Sequence, residues 1–262
     1  SAGGSAITLM VGNEPLGSME RSRALQNAHA GAVYLHRGQS YLVDELDLEA
    51  AVARLHPEEV PYYTQPITQS LTEGVAEIET FEMPFGTAAL ARIKVTDAVV
   101  GYKQKALDGE RVLGIYDLDL PSETFETHAV RFDLPTSAPD EIDPQDAMAY
   151  MAAIHGCEHA LMAVAPFLAG CDRGDLGSSW YGVFPETLAP AIFVFDRVPG
   201  GVGLAERLAD QRVTWIRSAW RLLDSCPCFD GCPACLLSTR CEANNEVLDK
   251  LGARKLLERL AD

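Results

Sequence analysis

The chain has 262 residues and a formal net charge of −17, from 38 acidic and 21 basic residues. This length suits one large domain or two small ones, and the excess of acids argues against a simple nucleic-acid-binding domain, which usually carries a basic face. No apolar run approaches the roughly 20 residues that cross a bilayer, and "SAGGSAITLMVGNEPLG" lacks the features of a signal peptide, so we expect no membrane partner. Because the first residue is Ser, we expect a piece of a longer protein.

The first half of the chain is rich in strand patterns. Residues 1–29 are predicted as a polar lead-in with a short helical stretch near "MERSRALQNAH". The alternating "VYLH", the turn "RGQ" and the resuming "YLV" predict a β-hairpin. Further strand-like runs, "GVAEIETFEM", "LARIKVTDAVVGYK", "RVLGIYDLDL" and "ETHAVRFDL", are separated by turn residues. We therefore predict a mostly antiparallel β-rich subdomain over residues 30–134, as a small barrel or a curled sheet.

Helical patterns dominate after the Pro- and acid-rich stretch "PTSAPDEIDP". A long helix is predicted in "DPQDAMAYMAAIHGCEHALMAVAPFLAG", with Asp143 as its cap and Pro144 at its first position. "PAIFVFD" predicts a short buried strand, and "GLAERLADQRVTWIRSAWRLLDS" and "EVLDKLGARKLLERLAD" predict two more helices. The fold class is therefore α+β, in which an antiparallel β-rich N-terminal unit precedes a helical subdomain over residues 143–262 with a short buried strand and a cysteine-rich loop.

Five of the seven cysteines lie in the sixteen residues "CPCFDGCPACLLSTRC", from Cys226 to Cys241. Two disulfides would strain so short a loop, and clustered cysteines in a cytosolic protein indicate a metal site first. Four thiolates form a closed tetrahedral zinc site, which we favour over an iron–sulfur cluster, free thiols or a redox pair. The smallest loops are closed by Cys226, Cys228, Cys232 and Cys235. The alternative ligand set replaces Cys226 with Cys241.

The cysteine loop and its flank, "CPCFDGCPACLLSTRCEANNEVLDKLGARKLLERL", together with "GAVYLHRGQSYLVDELDLEA", "HGCEHAL", "CDRGDLG" and "PAIFVFDRVPGGVGLAER", resemble a known family. They are similar to the C-terminal zinc-binding (MZB) domain of MrfA/Hrq-type superfamily 2 DNA helicases. Among these helicases, the mycobacterial SftH-like members are the nearest match. The resemblance implies a cytoplasmic, nucleoid-associated parent that hydrolyses ATP to move 3′-to-5′ along DNA and unwind it during DNA repair.

The motor of such a parent is not encoded in this sequence. The chain contains no G-x-x-x-x-G-K-[ST] phosphate loop and no DEAD/DEAH-like box. We therefore expect an accessory domain that supports DNA engagement and helicase stability. Its expected partners are the motor domains of the same parent chain and single-stranded DNA, bound weakly or only in the parent. Zinc is its expected cofactor, whereas ATP and magnesium would belong to the motor.

The motif His155-Gly-Cys-Glu158-His159 has the H-x-x-E-H spacing of inverted zinc proteases. On a helix its two imidazoles share a face, so an alternative function is a stand-alone metallohydrolase with Glu158 as the base. No third ligand is evident in the sequence, and Asp172 and Asp175 are the nearby acids that we nominate. The favoured interpretation is a buried polar network of these five residues that orients the "CDRGD" loop.

Two features are candidates for DNA contact. The turn formed by Pro199, Gly200, Gly201 and Gly203 follows a strand and opens a helix, where backbone amides can bind a phosphate; a simple tight turn is the default interpretation. Arg240 is the second candidate, since the metal loop would fix its direction. Other basic residues expected to be exposed near the zinc are Lys250, Arg254, Lys255 and Arg259, which acids match in number, as in a solvated helix.

Overall fold

The structure is a computed structural model that describes residues 6–109, 111–142, 146–241 and 243–261. Unit 1 runs to Ser70 and resumes over Thr96–Glu123, and unit 2 holds Leu71–Val95 and the chain from Thr124 onward. A 3₁₀ turn lies at Arg173–Asp175. The strands and helices of the described residues, in chain order, are β1 (Ala6–Val11), β2 (Glu14–Glu20), α1 (Arg21–Asn27), β3 (Val33–His36), β4 (Gln39–Asp47), β5 (Val52–Pro57), β6 (Tyr62–Glu82), β7 (Thr87–Ala106), β8 (Val112–Asp117), β9 (Glu123–Asp133), α2 (Ala147–Ala169), β10 (Leu176–Tyr181), β11 (Ala191–Asp196), α3 (Leu204–Asp210), α4 (Arg212–Ser225) and α5 (Lys250–Ala261).

Unit 1 contains a five-stranded sheet in the order β2-β1-β5-β4-β3. β1 and β5 are parallel, and the other neighbouring strands are antiparallel. Alternate residues of a strand face the same side, so Ile7 and Leu9 of β1 both enter the core of this unit. The predicted hairpin is confirmed: β3 and β4 pair across Arg37 and Gly38, whose φ angles of 49° and 81° are those of a type I′ turn.

Residues 6–29, predicted as part of a lead-in, are instead folded into this sheet. They form β1, β2 and α1, and Ala24 and Leu25 of α1 are buried. The apolar alternation in β1 is only six residues long, and β2 is an edge strand without a buried residue. The partner that completes β1 is the parallel strand β5, with Thr8 opposite Val52. The local alternation of apolar residues in β1 and β2 therefore gave little indication of a sheet whose pairing depends on a strand about 40 residues further along the chain.

The predicted subdomain of residues 30–134 does not correspond to one unit. It contains β6 and β7, which are 21 and 20 residues long and which each belong in part to unit 1 and in part to unit 2. The boundary falls inside both strands, after Ser70 and after Val95. Strand patterns indicate which residues are extended, but they do not indicate where a long strand leaves one core and enters another.

Unit 2 combines strands with helices α2 to α5. Its strands follow the order β10-β11-β9-β7-β6, and every residue of β11 is buried, as its apolar sequence predicts. Helix α2 contacts both α4 and α5. The core of this unit includes Phe132 of β9 and Trp215 of α4, whose rings lie 5.6 Å apart. Trp215 Nε1 also donates a hydrogen bond of 2.9 Å to the carbonyl of Leu161 in α2, so the largest side chain of this core is satisfied as well as packed.

Helix α2 is the central helix of unit 2. The predicted cap Asp143 and Pro144 lie outside the described residues; in the described part Asp146 caps the helix and accepts hydrogen bonds from the amides of Met148 and Ala149. By length and composition α2 could cross a bilayer, with a mean hydropathy of 1.2, contrary to our expectation from apolar runs. However, 67% of that window is buried inside the protein, as in the core helix of a folded domain.

The two remaining predicted helices differ in their bounds. The first is broken at Gln211 into α3 and α4, and the Gln211 side chain donates to the carbonyl of Leu168. The last helix begins at Lys250, not near Glu246. The preceding residues Asn244, Asn245 and Val247 have φ angles of 52°, 62° and 54°, which a right-handed helix does not allow.

Candidate metal centre

The cysteine loop begins where α4 ends, with Cys226 as the C-terminal cap of that helix. Four neighbouring sulfur–sulfur distances among Cys226, Cys228, Cys232 and Cys235 are 3.6, 3.6, 3.5 and 3.8 Å. None of the cysteines forms a disulfide. Zn–S bonds of about 2.3 Å at tetrahedral angles separate sulfurs by about 3.8 Å. The four thiols therefore surround a point with the spacing that a tetrahedral zinc ion requires.

The backbone of the loop explains why these thiols converge. Gly231 has a φ angle of 106°, and a Cβ at this position would lie 2.8 Å from Leu236 Cδ2, so glycine is needed for both reasons. The amides of Cys235 and Leu236 both donate to the carbonyl of Cys232, closing a tight turn. Cys235 and Leu236 are themselves buried in the core of unit 2. The loop is thus anchored at its second cysteine pair.

Lys250, expected to be an exposed basic residue, is instead buried beside the thiols. Its ammonium donates hydrogen bonds of 2.7 Å to the carbonyls of Cys226 and Cys228 and lies 3.3 Å from Cys228 Sγ. Burial acts to raise the pKa of Cys228, but hydrogen bonds from Cys235, Cys226 and Lys250 outweigh it and lower the pKa to about 6. Burial raises the pKa of Cys235, and hydrogen bonds with the side chains of the other three cysteines raise it further. Lys250 therefore supplies positive charge to a cluster that must become anionic to bind zinc.

Cys241, the fifth cysteine of the loop, lies in a different group. Its sulfur is 3.3 Å from Nε2 of His155, and one ligand atom each from His155, His159 and Cys241 lie within 4.8 Å of one another. The H-x-x-E-H motif therefore has a third neighbour that its own sequence did not reveal. The acids nominated for that role, Asp172 and Asp175, instead cap the 3₁₀ turn through reciprocal contacts with each other's backbone.

Only three of the five residues of the predicted polar network lie buried in α2, since Asp172 and Asp175 lie outside that helix and are not buried. His155, Glu158 and His159 are 1%, 7% and 5% exposed. Burial raises the pKa of Glu158, although a hydrogen bond from Ser178 and the charges nearby oppose the shift. Burial also lowers the pKa of both histidines, so each imidazole is held in its neutral form. A neutral imidazole pair is the form that binds metals.

The turn at Pro199–Gly203 does not offer its amides to a phosphate. Asp196, which is fully buried at the end of β11, accepts hydrogen bonds from the amides of Val202, Leu204 and Ala205 at 2.6, 3.2 and 2.7 Å. The amides of Gly200 and Gly201 donate to the carbonyls of Glu126 and Val198. A carboxylate of the chain itself therefore fills the anion site that we assigned to DNA, and the turn is closed structurally.

Arg240, the second DNA candidate, is exposed and has two arginine neighbours. Partial burial lowers its pKa, and the positive charges of Arg197 and Arg173 lower it further. Arg240 Nη1 also donates to the carbonyl of Arg173, and Arg173 donates to the hydroxyl of Ser238. We name Arg173, Arg197 and Arg240 the arginine cluster. The sequence separates its three members widely, so only the fold identifies it.

The two arginines of α5 are paired with acids, as expected for a solvated helix, and Lys255 has a backbone partner. Arg254 forms an ion pair of 2.8 Å with Asp224, and Arg259 forms one with Glu141. Lys255 donates to the backbone carbonyl of Glu141. These three residues are therefore poor candidates for contact with phosphate.

Comparison with known proteins identifies relatives of this arrangement. Residues 157–236, which include the four clustered thiols but not Cys241, match the model of the MrfA Zn-binding domain. MJ1572.1 of Methanocaldococcus jannaschii is 36% identical over 110 residues, which are 41% of this chain and 98% of that protein. The chain belongs to the MrfA zinc-binding domain family. The model of this family describes a zinc-binding domain, and the spacing of the four thiols fits a zinc ion.

Longer relatives of this MrfA zinc-binding domain are helicases. It is 29% identical over 222 residues to the ATP-dependent helicase YprA of Bacillus subtilis, covering 84% of this chain and 29% of that protein. Against the ATP-dependent helicase HRQ1 of Saccharomyces cerevisiae, identity is 26% over 254 residues, covering 91% and 23%. A crystal structure of the DUF1998 helicase MrfA bound to DNA matches with a TM-score of 0.67 and 25% identity, covering 99% of this chain and 34% of that one. The chain thus spans less than a third of the curated helicases, and none of these relatives favours the metallohydrolase alternative.

Proposed function

We propose that this chain is the C-terminal accessory domain of an ATP-dependent 3′-to-5′ DNA helicase or translocase that acts in DNA repair in the cytoplasm, associated with the nucleoid. The observation that carries the proposal is the tetrahedral group of four thiols inside a segment that matches the MrfA zinc-binding domain, in a chain whose relatives include helicases. Its partners in this role are the motor domains of the same protein and, through them, single-stranded DNA.

The zinc ligands in this proposal are Cys226, Cys228, Cys232 and Cys235. Four protein thiolates complete a tetrahedral shell, so the ion supplies a cross-link and leaves no position for a substrate. The cross-link lies between α4, which ends at Ser225, and α5, whose first residue Lys250 reaches back to the same loop. Both helices pack on α2. Zinc therefore stabilises the packing of the helical half of unit 2, and its binding free energy contributes to folding.

The contact with DNA in this proposal is the arginine cluster. The chain as a whole carries a formal charge of −17 and repels a phosphate backbone at long range. Arg240, whose charge is opposed by the charges of Arg197 and Arg173, gains from an anion bound beside it, since the anion offsets part of that repulsion. We therefore expect the isolated chain to bind single-stranded DNA weakly, and the cluster to matter when the motor holds the strand nearby.

The test is Arg240→Ala in the protein that carries this chain together with its motor, with Arg254→Ala as the matched control. Arg254 is also an arginine of unit 2, but its charge is paired with Asp224. We expect Arg240→Ala to lower DNA-stimulated ATP hydrolysis and unwinding, and to reduce the slope of log K against log salt by about 0.7 for one lost single-strand phosphate contact. Zinc content should not change.

Two outcomes would contradict this assignment. If Arg240→Ala and Arg254→Ala unwind DNA equally fast, the arginine cluster does not contact the strand. If Arg240→Ala lowers the melting temperature but leaves unwinding and the salt slope unchanged, the role of Arg240 is its hydrogen bond to the carbonyl of Arg173.

A further inference from the structure

The group formed by His155, His159 and Cys241 is made of residue types that bind zinc together. The two histidines are four residues apart on α2 and are both buried, and Cys241 approaches from the loop between α4 and α5. One ligand atom from each of the three lies within 4.8 Å of the others, and Cys241 Sγ is 3.3 Å from His155 Nε2. Zn–N and Zn–S bonds of about 2.1 and 2.3 Å at a tetrahedral angle separate the two ligand atoms by about 3.6 Å.

The hydrogen bonds of the two histidines leave the lone pair of each ring on Nε2, where it can bind a metal. His155 Nδ1 lies 3.1 Å from the carbonyl of Val247, and His159 Nδ1 lies 2.7 Å from the carbonyl of Leu236. A carbonyl oxygen only accepts, so each Nδ1 carries the proton and each Nε2 carries a free lone pair. A carbonyl that accepts a hydrogen bond from the ring nitrogen opposite the metal is the usual partner of a metal-binding histidine.

Further contacts hold the rings before any metal binds. The ring of His155 stacks on Trp180, with centroids 4.8 Å apart and planes 19° apart, and meets the ring of His159 edge-on at 4.6 Å. A carboxyl oxygen of Glu158 also lies beside the site, 3.6 Å from His159 Nε2. A site with rigid, neutral ligands loses little conformational entropy on binding, because the ligand positions exist beforehand.

We propose that His155, His159 and Cys241 form a second metal site, which takes a borderline-soft divalent ion of the zinc class and is independent of the four-thiol site. Two imidazoles and one thiolate suit zinc or cobalt and not magnesium or calcium, which prefer oxygen ligands. The fourth position falls to water or to the Glu158 carboxylate.

The second ion would fix the segment that follows the four-thiol loop. Cys241 belongs to that segment, and Val247 and Leu236, whose carbonyls hold the histidines, bracket it. Three residues there, Asn244, Asn245 and Val247, have positive φ angles that cost free energy in non-glycine residues. A metal bond from Cys241 to α2 offsets that cost. A second ion therefore accounts for the fifth cysteine of the loop, since one zinc ion needs only four ligands.

The first experiment counts metal in the full chain. The protein is saturated with zinc, passed over a desalting column, and analysed for zinc per chain by mass spectrometry. We expect about two equivalents, of which a weak chelator removes one first, because a three-ligand site with an open position exchanges faster than a closed one. Loading with cobalt should give two sets of ligand-field bands, one for four sulfur ligands and one for mixed nitrogen and sulfur ligands. Saturation at one equivalent with a single set of bands would overturn the proposal.

The second experiment locates the more labile ion. Cys241→Ser removes the thiolate, and His159→Asn removes Nε2 but keeps an N–H that can donate to the carbonyl of Leu236. Both should bind about one equivalent and lose the mixed-ligand cobalt bands. Cys171→Ser, a half-buried cysteine outside both groups, is the control and should bind about two. A labile equivalent that persists in both variants would place that ion elsewhere and reject this site, whereas loss of the four-thiol ion would instead count against the proposed zinc ligands.

Discussion

Replacing Lys250 with Met tests whether a buried ammonium holds the zinc loop on α5. Met has a similar length but no donor, so the change removes two hydrogen bonds of 2.7 Å to the carbonyls of Cys226 and Cys228 and a contact of 3.3 Å with Cys228 Sγ. Hydrogen bonds from charged donors contribute about 1.5–3 kcal/mol each, and part of this returns when water reaches the carbonyls, so we expect a loss of about 3 kcal/mol. For a chain of this size that loss lowers the melting temperature by about 6–12 °C.

The control is Lys255→Met on the same helix. Among the described residues Lys255 donates to the carbonyl of Glu141, in a solvent-exposed hydrogen bond, so its loss should change the melting temperature by little. Zinc-loaded samples of both variants are compared by scanning calorimetry, and the rate of zinc loss to a chelator is measured alongside. We expect faster loss in Lys250→Met, since Cys228 no longer has a cation beside it. Equal melting temperatures and equal release rates for the two variants would refute the role assigned to Lys250.

The metal loop, the cap of α3, the contact between α2 and α5 and the lack of a phosphate loop in the sequence can each be tested. Cys232→Ser should lose the zinc of the four-thiol site and melt at lower temperature than the parent chain, as metal analysis and calorimetry will show; an unchanged melting temperature counts against zinc as a folding element. Asp196→Ala leaves three amides at the start of α3 without an acceptor, and we expect it to lower the free energy of unfolding in urea by about 2–4 kcal/mol. Asp196→Asn keeps one acceptor oxygen and should lower it by less. Equal losses for the two variants would be inconsistent with capping by Asp196. Gly156→Ala places a Cβ 2.9 Å from the Cβ of Ala253 and should destabilise the contact between α2 and α5 by about 1–3 kcal/mol, whereas Gly174→Ala, whose nearest neighbour is 3.9 Å away, should have no effect. The pure chain should hydrolyse ATP only at background rate with or without DNA, because its sequence has no phosphate loop; DNA-dependent hydrolysis would disprove this.

Sequence spacing was sufficient wherever the partners are close in the chain. The hairpin of β3 and β4, the buried strand β11 and the convergence of Cys226, Cys228, Cys232 and Cys235 all follow from patterns shorter than about a dozen residues. In such segments the turn residues and the short loops leave few alternative geometries. The α+β fold class followed from strand and helix patterns along the chain, whereas the family followed from a resemblance of several stretches to known zinc-binding domains.

Element bounds were less well predicted where a distant contact decides them. The short helix predicted in the lead-in is present as α1, but β1 and β2 were not predicted there, because β1 finds its parallel partner in the distant strand β5. The break at Gln211 and the late start of α5 depend on backbone angles and contacts that helical periodicity does not record. In each case the local sequence allowed two structures with similar free energy, and tertiary packing selected one.

What the sequence by itself determined is a zinc-binding α+β chain with four thiols in one loop. Only the tertiary structure decided which side chains and backbone groups surround each functional group. Cys241 meets His155 across 86 positions of sequence, Lys250 returns to the thiols from the start of α5, and Asp196 fills the amide turn that otherwise resembles a phosphate site. The physical reason is that spacing along a chain fixes distances only within a turn or a short loop, whereas the burial of α2 against α4 and α5 brings together side chains that no local pattern relates.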